Sequence, residues 1–215
     1  MNRTFLRAAA WLAATLVFLA AAGWVYYLSF DLDKAPKANP HASKADLPWL
    51  QNAPPGQRGK ILLVVSSAAR GGPLNKKAGY ELTELARAWY VFQANGYDVD
   101  VASPAGGTPP ARIDKDDMGD TDYAFLNDAA AQAEVRQSIP LARVNSAAYS
   151  AVYFVGGKGA MFDFPGNADI ARIVRDIGAR GVVGAVCHGP AALMDVRLAD
   201  GTPFIAGKRL TGFTN

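Results

Sequence analysis

Apolar residues follow three different patterns along the chain. Between Arg7 and Asp31 no charged residue interrupts twenty-three positions, AAAWLAATLVFLAAAGWVYYLSF. At about 1.5 Å per residue, such a run is long enough to cross the hydrocarbon core of a bilayer. It predicts one transmembrane helix within residues 1–30. Cleavage as a signal peptide is the competing expectation, because Ala20-Ala21-Ala22 supplies small residues after an apolar stretch. The run continues through Trp24, Tyr26 and Tyr27, which suit a membrane interface and favour a retained anchor. From Asp31 to Gly59 periodicity lapses, and five of the thirteen prolines fall there. Residues 31–59 therefore read as an extended tether, with His41 an exposed loop histidine and Trp49 a candidate for docking the tether onto the domain beyond it.

From Lys60 onward short apolar runs alternate with helical periodicity. ILLVVS is β-branched and apolar throughout, as suits a strand buried on both faces. After the loop SAARGGPLNKKAG comes ELTELARAWYVFQANG, in which Leu85, Ala88, Trp89 and Phe92 fall on one helical face and Gly96 closes the helix. YDVDVAS returns to a strand, completing a strand, helix, strand unit of a parallel sheet. The alternation recurs in AVYFVGG, then NADIARIVRDIGARG with Ile170, Ile173, Val174 and Ile177 on one face, then GVVGAV. The prediction is an α/β domain over residues 60–215 with a doubly wound, mostly parallel sheet, preceded by one transmembrane helix. Ligands of such sheets bind at the carboxyl ends of the strands.

Charge sharpens this picture by exclusion. The formal net charge is +3, but residues 1–57 hold five Lys/Arg against three Asp/Glu, and residues 58–215 hold seventeen against sixteen. A nearly neutral domain lacks the basic face that phosphate recognition needs, so no nucleic-acid partner is expected. Arg3 and Arg7 precede the apolar run while its far flank is balanced, which places the N-terminus in the cytoplasm and the domain on the extracytoplasmic side. One cysteine and two histidines cannot furnish a thiolate or histidine metal site, so no metal is expected.

That single cysteine lies in GVVGAVCHGPAAL, where an apolar strand gives way to a helix start within about two residues. Gly189 lets the backbone come close and Pro190 suits a first helical turn. The arrangement is a nucleophile elbow with cysteine in the place of serine. A helix N-terminus behind Cys187 would favour its thiolate, and His188 could stabilise the anion or take a proton. GGKG, after the strand AVYFV, offers backbone amides for a developing oxyanion. It lacks the third glycine of a dinucleotide fingerprint, so no nucleotide cofactor is expected. SPAGGTPP reads as a turn-rich loop and the acidic DKDDMGDTD as a solvated one.

Taken together, AVCHGPAAL, GGKGAMFDFP, GYELTELARAWYVFQANGYDVDVASPAGG and GKRLTGFTN resemble the DJ-1/PfpI superfamily, specifically its Hsp31-like branch, from about Lys60 to Asn215. The resemblance implies a flavodoxin-like fold, usually a homodimer, and members that include glutathione-independent glyoxalases (glyoxalase III) and stress chaperones. It implies Cys187 as nucleophile, His188 as its neighbour and Glu84 as a buried carboxylate facing the sulfur, with Glu81 left as a solvated first-turn acid. Gly157, Lys158 and His188 are the implied oxyanion and substrate-binding positions, although Hsp31-like members commonly carry histidine where this chain has Lys158. Relatives continue beyond the segment matching LTGFTN, where the acid that orients their histidine follows, so the chain is expected to be a fragment. The implied activity is a cofactor-free, cysteine-dependent lyase of the hydro-lyase class acting on a small dicarbonyl such as methylglyoxal. The rival classes are a membrane-tethered holdase, a cysteine peptidase or amidohydrolase, an amidotransferase and a redox-sensing thiol.

Overall fold

The computed structural model describes residues 3–30 and 37–212, which divide at Lys37/Ala38 into two compact units. The first is the apolar run itself, a single helix α1 (Arg3–Ser29) with no buried residue. It is long and apolar enough to cross a membrane, a property that signal sequences share. Residues 31–36 of the expected tether lie outside the described residues.

The rest of that stretch differs from an extended tether. Ser43 caps a single 3-10 turn (Lys44–Asp46) and Pro48 opens the short helix α2 (Pro48–Gln51). Ala42 and Leu47 are buried in the core of the second unit. Asn127 Nδ2 donates to the carbonyls of Pro40 and Ala42. Trp49 is 46% exposed, so docking falls to the small and aliphatic residues instead. His41 is exposed, as expected.

The second unit is built on a five-stranded sheet. In chain order its elements are β1 (Lys60–Val64), the two-residue strands β2 (Arg70–Gly71), β3 (Lys76–Lys77) and β4 (Tyr80–Glu81), α3 (Leu82–Ala94), β5 (Asp98–Ser103), β6 (Ala111–Arg112), α4 (Asp120–Asn127), α5 (Ala129–Arg136), β7 (Ile139–Pro140), β8 (Tyr149–Phe154), α6 (Ala160–Asp163), α7 (Ala168–Gly178) and β9 (Val182–Ala185). The sheet order is β7-β5-β1-β8-β9, with every pairing parallel. The chain winds outward from β1 through β5 to β7, then returns to add β8 and β9 on the other side. The direction therefore reverses between β1 and β8, the switch point where doubly wound sheets bind ligands.

Alternation along β1 sends Ile61 and Leu63 to the layer of α3, α4 and α5, and Leu62 and Val64 to the layer of α7. This explains why ILLVV carries no polar position: both faces are covered. Helix α7 buries Ile170, Ile173, Val174 and Ile177, the four residues its periodicity singles out. In α3 the buried face is centred on Leu82, Leu85, Ala86, Trp89 and Tyr90. Ala88 and Phe92, expected on that face, are half-buried at its flank, where the Phe92 ring meets Tyr153 edge-on at 5.6 Å. Loop expectations fail in two places. SAARGGPLNKKAG contains the β2–β3 hairpin, and the acidic stretch opens α4 with Asp122 fully buried against Arg87. Strand β9 lies at the edge of the sheet among the described residues, its Val182 65% exposed.

Candidate active site

Neighbouring strands β8 and β9 end together. The Val186 N–H donates to the Phe154 carbonyl at 3.1 Å, so the residues just past each strand emerge side by side. A tight turn then closes through Gly189 N–H to Val186 O at 2.6 Å. A Cβ on Gly189 would strike the Phe154 carbonyl, so only glycine permits the close backbone approach expected there. At the apex Cys187 adopts φ 53°, in the left-handed region that non-glycine residues occupy only at a cost of about 1–3 kcal/mol.

The segment after the cysteine is not the helix expected there. Gly189–Leu193 forms a five-residue 3-10 turn, too short for a helix dipole to govern the sulfur. Burial dominates instead and pushes the Cys187 thiol up, reinforced by the charge and hydrogen bond of Glu84. The backbone N–H groups of Gly157 and His188 oppose this by donating toward the sulfur.

Glu84 reaches this point from the first turn of α3. Its Oε2 accepts the Gly156 N–H at 2.7 Å, and its carboxylate accepts a hydrogen bond from Cys187. Burial raises Glu84 above the ordinary carboxyl range, against the pull of Cys187, Gly156 and His188. His188 Nδ1 lies 3.1 Å from Cys187 Sγ. The structure thus brings Cys187, His188, Glu84 and the Gly157 amide onto one sulfur. Two acids in contact resist joint ionisation, which adds to burial in raising the thiol.

Lys158, grouped with these residues from the sequence, turns elsewhere: it lines a pocket with the β2–β3 hairpin. Glu81 is not the solvated acid expected. It occupies the N-cap position of α3 without a side-chain capping bond, its N–H donates to the Gly156 carbonyl at 3.2 Å, and its Oε2 pairs with Arg112 at 3.5 Å. Burial raises Glu81 too, and its Oε1 is buried without a hydrogen-bond partner among the described residues. Beside Glu84 opens a cleft of about 530 Å³ bordered by Glu81, Arg87, Asp117, Tyr153 and Val186.

Sequence reasoning also missed Asp163. Its Oδ1 accepts from the Ser66 hydroxyl at 2.9 Å and its Oδ2 from the Ser67 N–H at 2.7 Å. This ties the end of α6 to the loop after β1. The available signal was a serine pair closing the first strand together with an acid shortly after GGKG.

The sequence profile of the DJ-1/PfpI family matches residues 75–215. The chain belongs to the DJ-1/PfpI family. Among its relatives is a probable glutathione-independent glyoxalase of Saccharomyces cerevisiae, 30% identical over 166 residues that cover 70% of this chain and 67% of the relative. A glutathione-independent glyoxalase of Schizosaccharomyces pombe is 31% identical, covering 73% and 68%. Among solved structures, Francisella tularensis Rapid Encystment Protein 24 kDa superposes with a TM-score of 0.68 at 37% identity, over 73% of this chain and 71% of that one. Glyoxalase III of Candida albicans superposes with a TM-score of 0.66 at 27% identity, over 73% and 69%. As a DJ-1/PfpI protein of the Hsp31-like, glyoxalase III-like group, the chain has the flavodoxin-like fold described above.

Proposed function

We propose that this DJ-1/PfpI protein is a glutathione-independent glyoxalase that converts small 2-oxoaldehydes such as methylglyoxal to 2-hydroxy acids, with Cys187 as nucleophile and no cofactor. The observation that carries the reading is Cys187 at φ 53° with Glu84 and His188 Nδ1 both on its sulfur. The glyoxalase relatives support the choice of substrate.

In this mechanism the sulfur adds to the aldehyde carbon, and the thiol proton passes by way of Glu84 or His188 to the former aldehyde oxygen. The product is a hemithioacetal. The same two residues then move a proton from the aldehyde carbon to the neighbouring carbonyl carbon through an enediol, leaving a thioester of the hydroxy acid. Water cleaves the thioester, releasing the acid and restoring the thiol. The amides of Gly157 and His188 are the donors available to an oxyanion beside the sulfur. No electron leaves the system: one carbon is oxidised as its neighbour is reduced.

The test is hydroxy acid formation from methylglyoxal by the full chain in detergent, without glutathione. Cys187→Ser is expected to lose about three orders of magnitude or more in kcat, and a variant as fast as the parent would overturn the proposal. Activity against pH is expected to be bell-shaped, since one shared proton must be present on the pair. Its acid limb lies above the ordinary carboxyl range, following the raised Glu84, and disappears in Glu84→Gln.

We also infer that α1 anchors the enzyme in a membrane with the domain on the extracytoplasmic side. Supporting this are the length and hydropathy of Arg3–Ser29 and the position of Arg3 and Arg7 at its start.

A further inference from the structure

One hairpin places cationic side chains close together. In the antiparallel pair β2–β3, Arg70 stands opposite Lys77 and Gly71 opposite Lys76. Like charges directly across a strand pair are destabilising. Among the described residues no carboxylate forms an ion pair with Arg70, Lys76, Lys77 or Lys158. Some cations of the domain do have an acid within 4.0 Å, namely Lys44, Lys60, Arg87, Arg112 and Arg172. What distinguishes the hairpin and the loop it faces is that several cations line one pocket.

Three of them converge on one concavity. The hairpin and the GGKG loop wall a pocket of about 270 Å³ lined by Lys76, Lys77 and Lys158 together with Gly71, Leu74 and Phe162. No acid lines it. Its apolar wall is the Phe162 ring, 47% exposed and packed so closely on Gly71 that a Cβ there would collide with it. Two lysines come from β3. The third sits one residue beyond Gly157, whose amide faces the Cys187 sulfur.

We propose that this pocket is an anion site for a carboxylate or phosphate group carried on a short apolar stem. Three lining lysines, with no acid among the lining residues, supply the charge, and the half-exposed phenyl ring supplies the apolar contact. At about 270 Å³ the pocket is smaller than the roughly 300–1,000 Å³ of sites for drug-sized ligands, which selects a compact group over a nucleotide. Occupancy also has a route to the chemistry, because Lys158 and the Gly157 amide are consecutive in the chain, their Cα atoms about 3.8 Å apart. The anion has two sources, a free ion or the acidic end of a dicarbonyl substrate.

The first arm of the test does not depend on the glyoxalase reading. Inorganic phosphate and propionate are titrated by calorimetry into the full chain in detergent at low ionic strength. Saturable binding is expected, weakened about fivefold by Lys158→Gln and further in the Lys76→Gln/Lys77→Gln double variant, retained by Lys158→Arg, and falling as sodium chloride rises. Non-saturable binding, or equal binding by parent and double variant, would show only a solvated basic face and overturn the proposal. The second arm compares methylglyoxal with a 2-oxoaldehyde bearing a terminal carboxylate. If the anion is the substrate's own, the double variant raises the KM of the carboxylated substrate relative to that of methylglyoxal, and phosphate competes with it. If it is a free ion, phosphate instead changes the kcat for methylglyoxal without competing. A chain that binds phosphate saturably yet turns over neither substrate would keep the anion site and sink the glyoxalase reading.

Discussion

At the scale of single residues, the site rests on contacts around one sulfur. Gly156 shows how little room they leave: a Cβ there would lie 2.6 Å from Glu84 Oε2 and 2.8 Å from Cys187 Cβ. Gly156→Ala is expected to part the carboxyl from the thiol and lower kcat about a hundredfold, measured against a circular dichroism spectrum that stays native. Glu84 also links the site to stability. Its pKa is raised in the folded state, so the fold holds this proton more tightly than the unfolded chain does. The associated stability is present at low pH and lost as pH climbs through the raised value. Relative to Glu84→Gln, the parent is therefore expected to become progressively less stable from the ordinary carboxyl range upward, read from urea midpoints across a pH series. Cys187, His188 and Gly157 were legible as residues in CHGP and GGKG. Glu84 was legible only through family resemblance, because a glutamate on a helix has no local mark of burial. Glu81 shows the same limit in reverse: it looks like a solvated acid, yet its amide holds the loop that carries Gly156.

Among the elements, those whose covering was uniform were read correctly. Helix α7 packs a single face on one layer of the sheet, and its period of 3.6 gives that face directly. Ile173→Ala there is expected to cost about 2–5 kcal/mol, measured by denaturant unfolding, since a fully buried residue leaves a cavity. Helix α3 is harder to read because it meets the sheet on one side and α4 on the other, so its buried arc is rotated and Phe92 is left at the flank. The β2–β3 hairpin escaped notice because two-residue strands leave no alternation to detect. Asp122 escaped for a different reason: acids read as solvated until an arginine from another element is shown to meet them, here Arg87 at 2.9 Å from α3.

For the molecule as a whole, α1 and the domain make separate demands. An apolar helix of 27 residues, about 40 Å long, predicts that the full chain sediments with membranes and resists alkaline extraction, whereas a chain lacking residues 1–30 is released. Sedimentation unchanged by that deletion would remove the anchor. By itself the sequence determined the α/β class, the parallel sheet, the apolar N-terminal helix and the turn at Cys187. Each of these is written in local period, in an uninterrupted run or in adjacent residues. The tertiary structure alone decided that Ala42 and Leu47 belong to the core and that Lys158 joins the hairpin lysines, and it gave the contact between Glu84 and the thiol that only family resemblance had implied. It also decided that Asp163 ties α6 to the loop after β1. Those contacts join segments up to 103 residues apart, as Glu84 to Cys187 does. Packing sets such distances, and burial then sets the protonation of the groups brought together.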